Sequence, residues 1–312
     1  MTFENFARLT GATLLNTPTI SSFEDIQIDV KKVKRGDLFI SNLKEDIELA
    51  LHLEAYAIVS VDIFPIIDEE IAWMRVDSLD EVLIRLMKFT LLEKKFRFIY
   101  LTHVELELIE KIADREFLVF LTDNEKDNFK KIINAKEKSI FFSANELFLK
   151  QIYPNFETLT QIKSKLFKTI KNSLFLSSFI YNDTTYNNIK LPPLFQENLE
   201  NVINFLRENH ISFQIEKCTF TSHFHPIFID HKLQIKPFGK SDRVIICERD
   251  KNLIKIELKY LRENAPWAKK IIQVLDADEL KSIEFNFAII NTTTNILQEK
   301  LEKIQKKEQA LF

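Results

Sequence analysis

The sequence predicts an α/β protein made of more than one small unit, and three observations carry that reading. Short apolar runs of strand type alternate with amphipathic helical segments from one end of the chain to the other. The 312 residues leave room for two or three domains of about 100–200 residues each. The composition, 46% hydrophobic and 29% charged, belongs to a globular chain rather than a disordered or fibrous one.

Each element has a local cause. Phe3–Leu9 reads as a short helix stopped by Gly11. Ile26–Val30 alternates as a strand, Lys34-Arg35-Gly36-Asp37 forms a turn, and Leu38–Ser41 is the next strand. Ile47, Ala50 and Leu51 give Asp46–Glu54 helical spacing. Ala57–Val61 and Trp73–Val76 are buried-type strands. Leu79–Leu92 is an amphipathic helix opened by Asp77 or Ser78, with Glu81 at the capping-box position. Beyond residue 95 come strand Phe96–Leu101, helix Glu105–Ala113 and strand Phe117–Leu121. Asn124–Asn134, Ser139–Phe142, Ala144–Gln151 and Leu174–Tyr181 follow as further helical and strand segments. Pro192-Pro193 halts the chain before helix Gln196–Asn209, whose stripe is Leu199, Val202, Ile203 and Leu206. The remainder reads as strands Ser212–Glu216, Pro226–Ile229 and Arg243–Cys247, helix Asn252–Glu263, strands Lys270–Leu275 and Phe287–Ile290, and helix Thr294–Ala310. These successive units predict three domains, 1–95, 96–212 and 213–312, the last small and Rossmann-like.

Composition excludes several function classes. Net charge is −3, with 43 basic and 46 acidic side chains interspersed, so no basic excess exists to neutralise a nucleic-acid backbone. Cys218 and Cys247 are the only cysteines, too few for a disulfide scaffold and suited to a reducing compartment. Nothing resembles an export signal, and the apolar stretches are too short to span a membrane, so a cytoplasmic location is expected. The three glycines, Gly11, Gly36 and Gly239, are too scattered to build a Walker loop or a dinucleotide fingerprint. The 28 phenylalanines accompany many Lys, Asn and Ile, as an AT-rich genome produces, and are expected to fill cores.

One stretch carries a resemblance. Asp29-Val30-Lys31-Lys32-Val33-Lys34-Arg35-Gly36-Asp37-Leu38-Phe39-Ile40 resembles the segment of the Mur ligases in which Asp-Ser-Arg precedes V-x-x-G-D-L-F-V. Ala50-Leu51-His52-Leu53-Glu54-Ala55-Tyr56-Ala57-Ile58-Val59 is similar to that family's A-x-x-x-G-A-x-A-V-V. Arg75-Val76-Asp77 before the helix 79–92 matches its next element. Leu191-Pro192 and Asn198-Leu199-Glu200-Asn201 resemble its L-P-G-x-H-N-x-x-N helix start. The match is densest over residues 1–95, and the family enzymes nearest in pattern add the later amino acids of the peptidoglycan stem peptide. The resemblance implies a Mur-ligase-like N-terminal α/β domain, a reduced central α/β domain and a small Rossmann-like C-terminal domain.

The departures matter as much. Where the family continues from its strand into the ATP loop T-G-S-x-G-K-T-T, this chain runs Thr102-His103-Val104-Glu105-Leu106-Glu107-Leu108. Both loop glycines are gone, and the phosphate-binding lysine position falls at or beside Glu107, a repulsive group for polyphosphate. The family's following magnesium and carbamylated-lysine region has no counterpart, and family members are considerably longer. Asp29 is kept in the uridine-nucleotide motif, but Val30 replaces Ser and Lys31 replaces Arg, losing the bidentate fork. The expectation is a cytoplasmic pseudoenzyme of peptidoglycan precursor metabolism. It would hold a UDP-muramyl precursor through Asp29, Lys31, Lys34 and Asp37, or scaffold and regulate an active ligase.

Two readings from other classes stand beside it. Cys218, His223, His225 and His231 lie close together, and His223-Phe224-His225 on a strand would put both rings on one face. With Asp230 or Cys247 they would suit zinc, giving a metal-dependent enzyme around His223, His225, Asp230 and Cys218. Asp230 also resembles the strand-ending acid at the start of the family's C-terminal domain, although a turn aspartate is the simpler reading. The other alternative is a structural interaction module without a small ligand. Ser177-Ser178 has no His or Asp at meaningful spacing and forms no nucleophile elbow. Glu105–Glu110 and the mixed-charge end Gln298–Gln309 read as solvated faces. In the latter, Glu299 with Lys303 and Glu302 with Lys306 are i,i+4 pairs, and Ala310-Leu311-Phe312 forms an apolar tip.

Overall fold

The computed structural model describes residues 1–162 and 165–309. The chain divides into two compact units. One comprises Met1–Tyr100 with Glu116–Thr158, and the other Leu101–Arg115 with the chain from Leu159 onward. The division runs through the segment 96–212 rather than around it.

In the first unit, strands Ala72–Arg75, Ala57–Ser60, Leu38–Ile40 and Ile26–Gln27 form a parallel sheet in that order, with Thr13–Leu14 antiparallel at one edge. Strand alternation divides its side chains between two cores. Leu38, Ile40, Ala57, Val59, Ala72 and Met74 enter one apolar cluster, and Phe39, Ile58 and Trp73 enter another. Helix Phe3–Thr10 is capped by the Thr2 hydroxyl and ends at Gly11, whose φ of 79° is the left-handed stop a Cβ would disfavour. Helix Leu79–Glu93 opens on Ser78, whose hydroxyl accepts from the Glu81 N–H.

A second sheet in this unit is wholly parallel, ordered Leu118–Phe120, Ile140–Ser143, Arg97–Tyr100 and Glu157–Thr158. Phe98 and Phe141 stack there at 4.7 Å and join the same cluster as Leu38 and Met74. The strand expected over Ile26–Val30 is cut short by a local competitor. Asp29 accepts from the Lys31 N–H and starts the 3₁₀ turn Val30–Lys32.

In the second unit, helix His103–Ile112 packs on helix Gln196–Glu208. Strands Lys168–Asn172, Ser177–Tyr181 and Thr184–Ile189 form an antiparallel sheet. Asn182 and Asp183 both have positive φ and make its two-residue hairpin turn. A further sheet is ordered His225–Ile229, Arg243–Cys247, Phe287–Ile290 and Ile271–Val274, antiparallel at the first pair and parallel beyond it. Helices Lys251–Asn264 and Thr294–Gln309 accompany it.

The strand expected over Ser212–Glu216 does not form. Phe213 makes one bridge to Ala113, and Ile215–Lys217 then winds into a 3₁₀ turn that buries Ile215. A short alternating run serves either geometry, and tertiary burial chose the turn. The expected apolar tip Ala310–Phe312 lies outside the described residues, as does the Lys306 side chain. Among the described residues no helix is long and apolar enough to cross a membrane.

Candidate functional site

The Asp29–Asp37 segment forms two consecutive turns. Besides capping its 3₁₀ turn, Asp29 lies 3.6 Å from Lys130 Nζ, with both side chains about one-third exposed. Lys31 and Lys34 point to solvent. Asp37 does not: it is 3% exposed, and its carboxylate accepts from the Lys34 N–H at 2.9 Å. Gly36, at φ 94°, bends the chain between them, and a Cβ there would come within 3.2 Å of the Glu24 side chain. Lys31 and Lys34 are therefore exposed, whereas the carboxylates of Asp29 and Asp37 each hold a turn.

The start of helix His103–Ile112 is closed by its own side chains. Thr102 Oγ1 accepts from the Glu105 N–H at 3.3 Å, and Glu105 Oε2 accepts from the Thr102 N–H at 2.9 Å, a complete capping box. Glu105 is 6% exposed, and its second oxygen accepts from Asn201 Nδ2 at 3.2 Å. Asn201 Oδ1 in turn accepts from the Ile162 N–H. Two residues on, Glu107 accepts from both the N–H and the hydroxyl of Ser222. The expectation of a solvated face over Glu105–Glu110 is thus corrected. Glu105 is buried because Asn201 and Thr102 satisfy it, and Glu107 is half-buried against Ser222.

Ser222 leads directly into a cluster of buried titratable groups. His223 Nδ1 lies 2.9 Å from Glu248 Oε2 and 3.0 Å from Oε1, and the ring of His103 stands 6.1 Å from that of His223. Glu248, 1% exposed, also accepts the N–H groups of Arg249 and Asp250 at 2.7 Å each. Burial opposes its charge, but the His223 hydrogen bond and charge and the Asp250 N–H outweigh it and hold its pKa below the ordinary carboxylate value. Burial likewise works against the charged imidazole, yet Glu248, then Glu107 and Asp250, hold the His223 pKa above its usual value. Glu257 is fully buried beside Glu248. Burial first, and the Glu248 charge second, push its pKa well up, so Glu257 is a neutral acid beside an ionised one.

The backbone between these groups is strained. Phe224 has φ 50° and a fully buried ring, 5.5 Å from Phe175 and 5.6 Å from Tyr260. Left-handed geometry at a bulky residue costs about 1–3 kcal/mol and persists only where its surroundings enforce it. Here it puts His223 against Glu248 while sending the Phe224 ring into the aromatic core.

The expected metal set is dispersed. His223 is taken by Glu248. Burial lowers the His225 pKa, and its Nδ1 lies 3.3 Å from the Thr221 carbonyl. Asp230 accepts from the N–H groups of Lys232 and Gln234 at 2.9 Å and pairs with Lys236 at 2.8 Å, as a turn aspartate does. Cys218 is buried, and burial pushes its thiol up to about 12. Among the described residues no three His, Cys, Asp or Glu side chains are grouped to hold a metal ion. Glu248 and Glu257 escaped the sequence reading, although a signal existed. Glu257 stands between Ile254 and Leu261 on the buried stripe of helix Lys251–Asn264, a carboxyl where an apolar side chain belongs.

Compared with solved structures, the chain is similar in fold to MurF from Acinetobacter baumannii. The TM-score is 0.51 at 10% identity, covering 90% of this chain and 80% of that one. MurF ligase from Thermotoga maritima, solved in complex with ADP, matches with a TM-score of 0.45 at 11% identity, covering 91% of this chain and 98% of that one. No family model and no curated protein sequence matches the chain. The fold is Mur-ligase-like.

Proposed function

We propose that this protein acts in peptidoglycan precursor metabolism by binding rather than by ATP-driven ligation, as a pseudoenzyme on a Mur-ligase-like fold. The observation that carries the reading is the closed start of helix His103–Ile112. A helix N-terminus receives phosphate through free N–H groups. Here Thr102 and Glu105 occupy that end, and Glu107, tied to Ser222, adds a negative charge two residues further on. The ligand of this reading is a UDP-muramyl precursor held at Asp29, Lys31 and Lys34, with Asp37 shaping the turn beneath them. A peptidoglycan-synthesis protein is the alternative partner.

Calorimetric titration of the full chain tests it with a UDP-muramyl peptide and with ATP–magnesium. Saturable binding of the precursor, lost in Asp29→Ala/Lys31→Ala, supports the reading. Saturable ATP binding that survives those changes overturns it, because the helix start would then be open. Silence with both ligands moves the assignment to a protein partner.

A second reading is favoured by the His223–Glu248 pair alone. A carboxylate on Nδ1 fixes the ring and presents Nε2, the arrangement of a general acid–base or of a zinc-binding imidazole. Metal analysis of purified protein separates these possibilities: stoichiometric zinc or iron, lost in His223→Ala, favours the metal-dependent enzyme.

A further inference from the structure

The last turn of helix His103–Ile112 and the segment Ser212–Lys217 border a cavity of about 490 Å³. That volume is in the range of small-molecule sites, about 300–1,000 Å³. Its floor is held by backbone hydrogen bonds. The Asp114 N–H donates to the Ser212 carbonyl and the Gln214 N–H to the Ile112 carbonyl, both at 2.9 Å, and Ala113 bridges Phe213. A floor clamped in this way loses little further freedom when a ligand arrives.

The lining is unusual in its charges. Lys111, Arg115 and Lys217 line it together with Glu110 and Asp114. Arg115 is already committed: Nε and Nη2 both donate to the Glu110 carbonyl, and the guanidinium stands 3.6 Å from the Glu110 carboxylate. That leaves Lys111, Lys217 and Asp114 as the other charged residues of the lining. Neither ammonium makes a hydrogen bond or ion pair among the described residues. Ser212 and Gln214 add neutral donors and acceptors between them.

We propose that this cavity binds a small organic oxyanion of sugar size, carrying a phosphate or a carboxylate between Lys111 and Lys217. Two ammonium groups at one concavity with one carboxylate to answer them leave a net positive charge. Lysine binds such oxyanions as a point charge. The volume exceeds what an inorganic ion fills, and Ser212 and Gln214 suit the hydroxyl groups of an attached polyol. The site is separate from Asp29, Lys31 and Lys34, so its test does not depend on the precursor reading.

The test is a backbone-amide NMR titration of the full chain with glucose 6-phosphate, gluconate, glucose and sulfate as probes. The expected result is saturable shifts confined to residues 111–115 and 212–217, with one of the two sugar anions binding and glucose silent. That anion then identifies the headgroup. The double variant Lys111→Gln/Lys217→Gln should weaken its binding at least tenfold, and Lys111→Arg/Lys217→Arg should retain it. Equal response to sulfate and to the sugar anions marks an adventitious ion only and overturns the proposal. So does the absence of saturable shifts at these residues, or unchanged binding in the Gln variant.

Discussion

Glu257 sits fully buried beside Glu248, and the two carboxyls carry one charge between them, Glu248 ionised toward His223 and Glu257 neutral. The arrangement makes the second unit sensitive to pH in opposite directions at different groups.

Glu257 makes alkaline pH destabilising. The folded chain keeps a proton that the unfolded chain releases above its ordinary value of 4.5, so stability falls as pH rises from there toward the raised folded pKa. This group contributes a slope of up to about 1.4 kcal/mol per pH unit. Glu257→Gln removes the titration at nearly the same side-chain volume. Thermal midpoints measured from pH 5 to 9 should fall more gently in the variant, which should be the more stable protein at the alkaline end.

The His223–Glu248 pair behaves differently. The raised His223 pKa contributes stability that is fully present below 6.5 and lost as pH climbs through the folded value. The lowered Glu248 pKa contributes stability present above 4.5 and lost on acidification through its folded value. Glu248→Gln leaves a buried imidazole without its counter-charge and should cost about 3–5 kcal/mol. In NMR titrations of the His223 ring, the pKa should drop in that variant. An unmoved His223 titration would show that the pair is not formed in solution.

Phe224 supplies a test that reverses the usual order of substitutions. Removing a buried phenylalanine ring costs about 3–5 kcal/mol, so Phe224→Ala and Phe224→Gly should both destabilise. At φ 50°, however, glycine avoids the left-handed penalty of about 1–2 kcal/mol that alanine retains. Urea denaturation should find the glycine variant the more stable of the two.

The closed helix start predicts a coupling between distant residues. Glu105→Ala strands Asn201 and opens the cap, and a loss of about 1–3 kcal/mol is expected. A double-mutant cycle of Glu105→Ala with Asn201→Ala should return a coupling above about 0.5 kcal/mol. Additive losses would mean that the two side chains do not meet.

In the first unit, Asp37 and Lys31 should separate stability from binding. Asp37→Ala removes the acceptor of the Lys34 N–H inside a buried turn and should cost about 1–3 kcal/mol. Lys31→Ala, at an exposed position, should leave the denaturation midpoint within about 0.5 kcal/mol of the parent.

Much of the fold was legible from local pattern. Gly11 ends the first helix, Ser78 opens the third, and strands Arg243–Cys247 and Phe287–Ile290 were found to the residue. Caps, glycine stops and apolar periodicity act within one or two turns of the chain, so they are written in neighbouring residues. The scatter of the three glycines, which spells no glycine-rich phosphate loop, is equally a property of neighbouring residues. The protonation of Glu257, the wiring of Glu105 to Asn201, the committed carboxylate of Asp37 and the scattering of His223, His225, Asp230 and Cys218 were decided by packing. A carboxyl's charge depends on how much water reaches it and on which partners the rest of the chain brings within hydrogen-bond distance. Those partners come from sequence-distant segments, Ser222 to Glu107 and His223 to Glu248 among them, and only the folded chain sets them side by side.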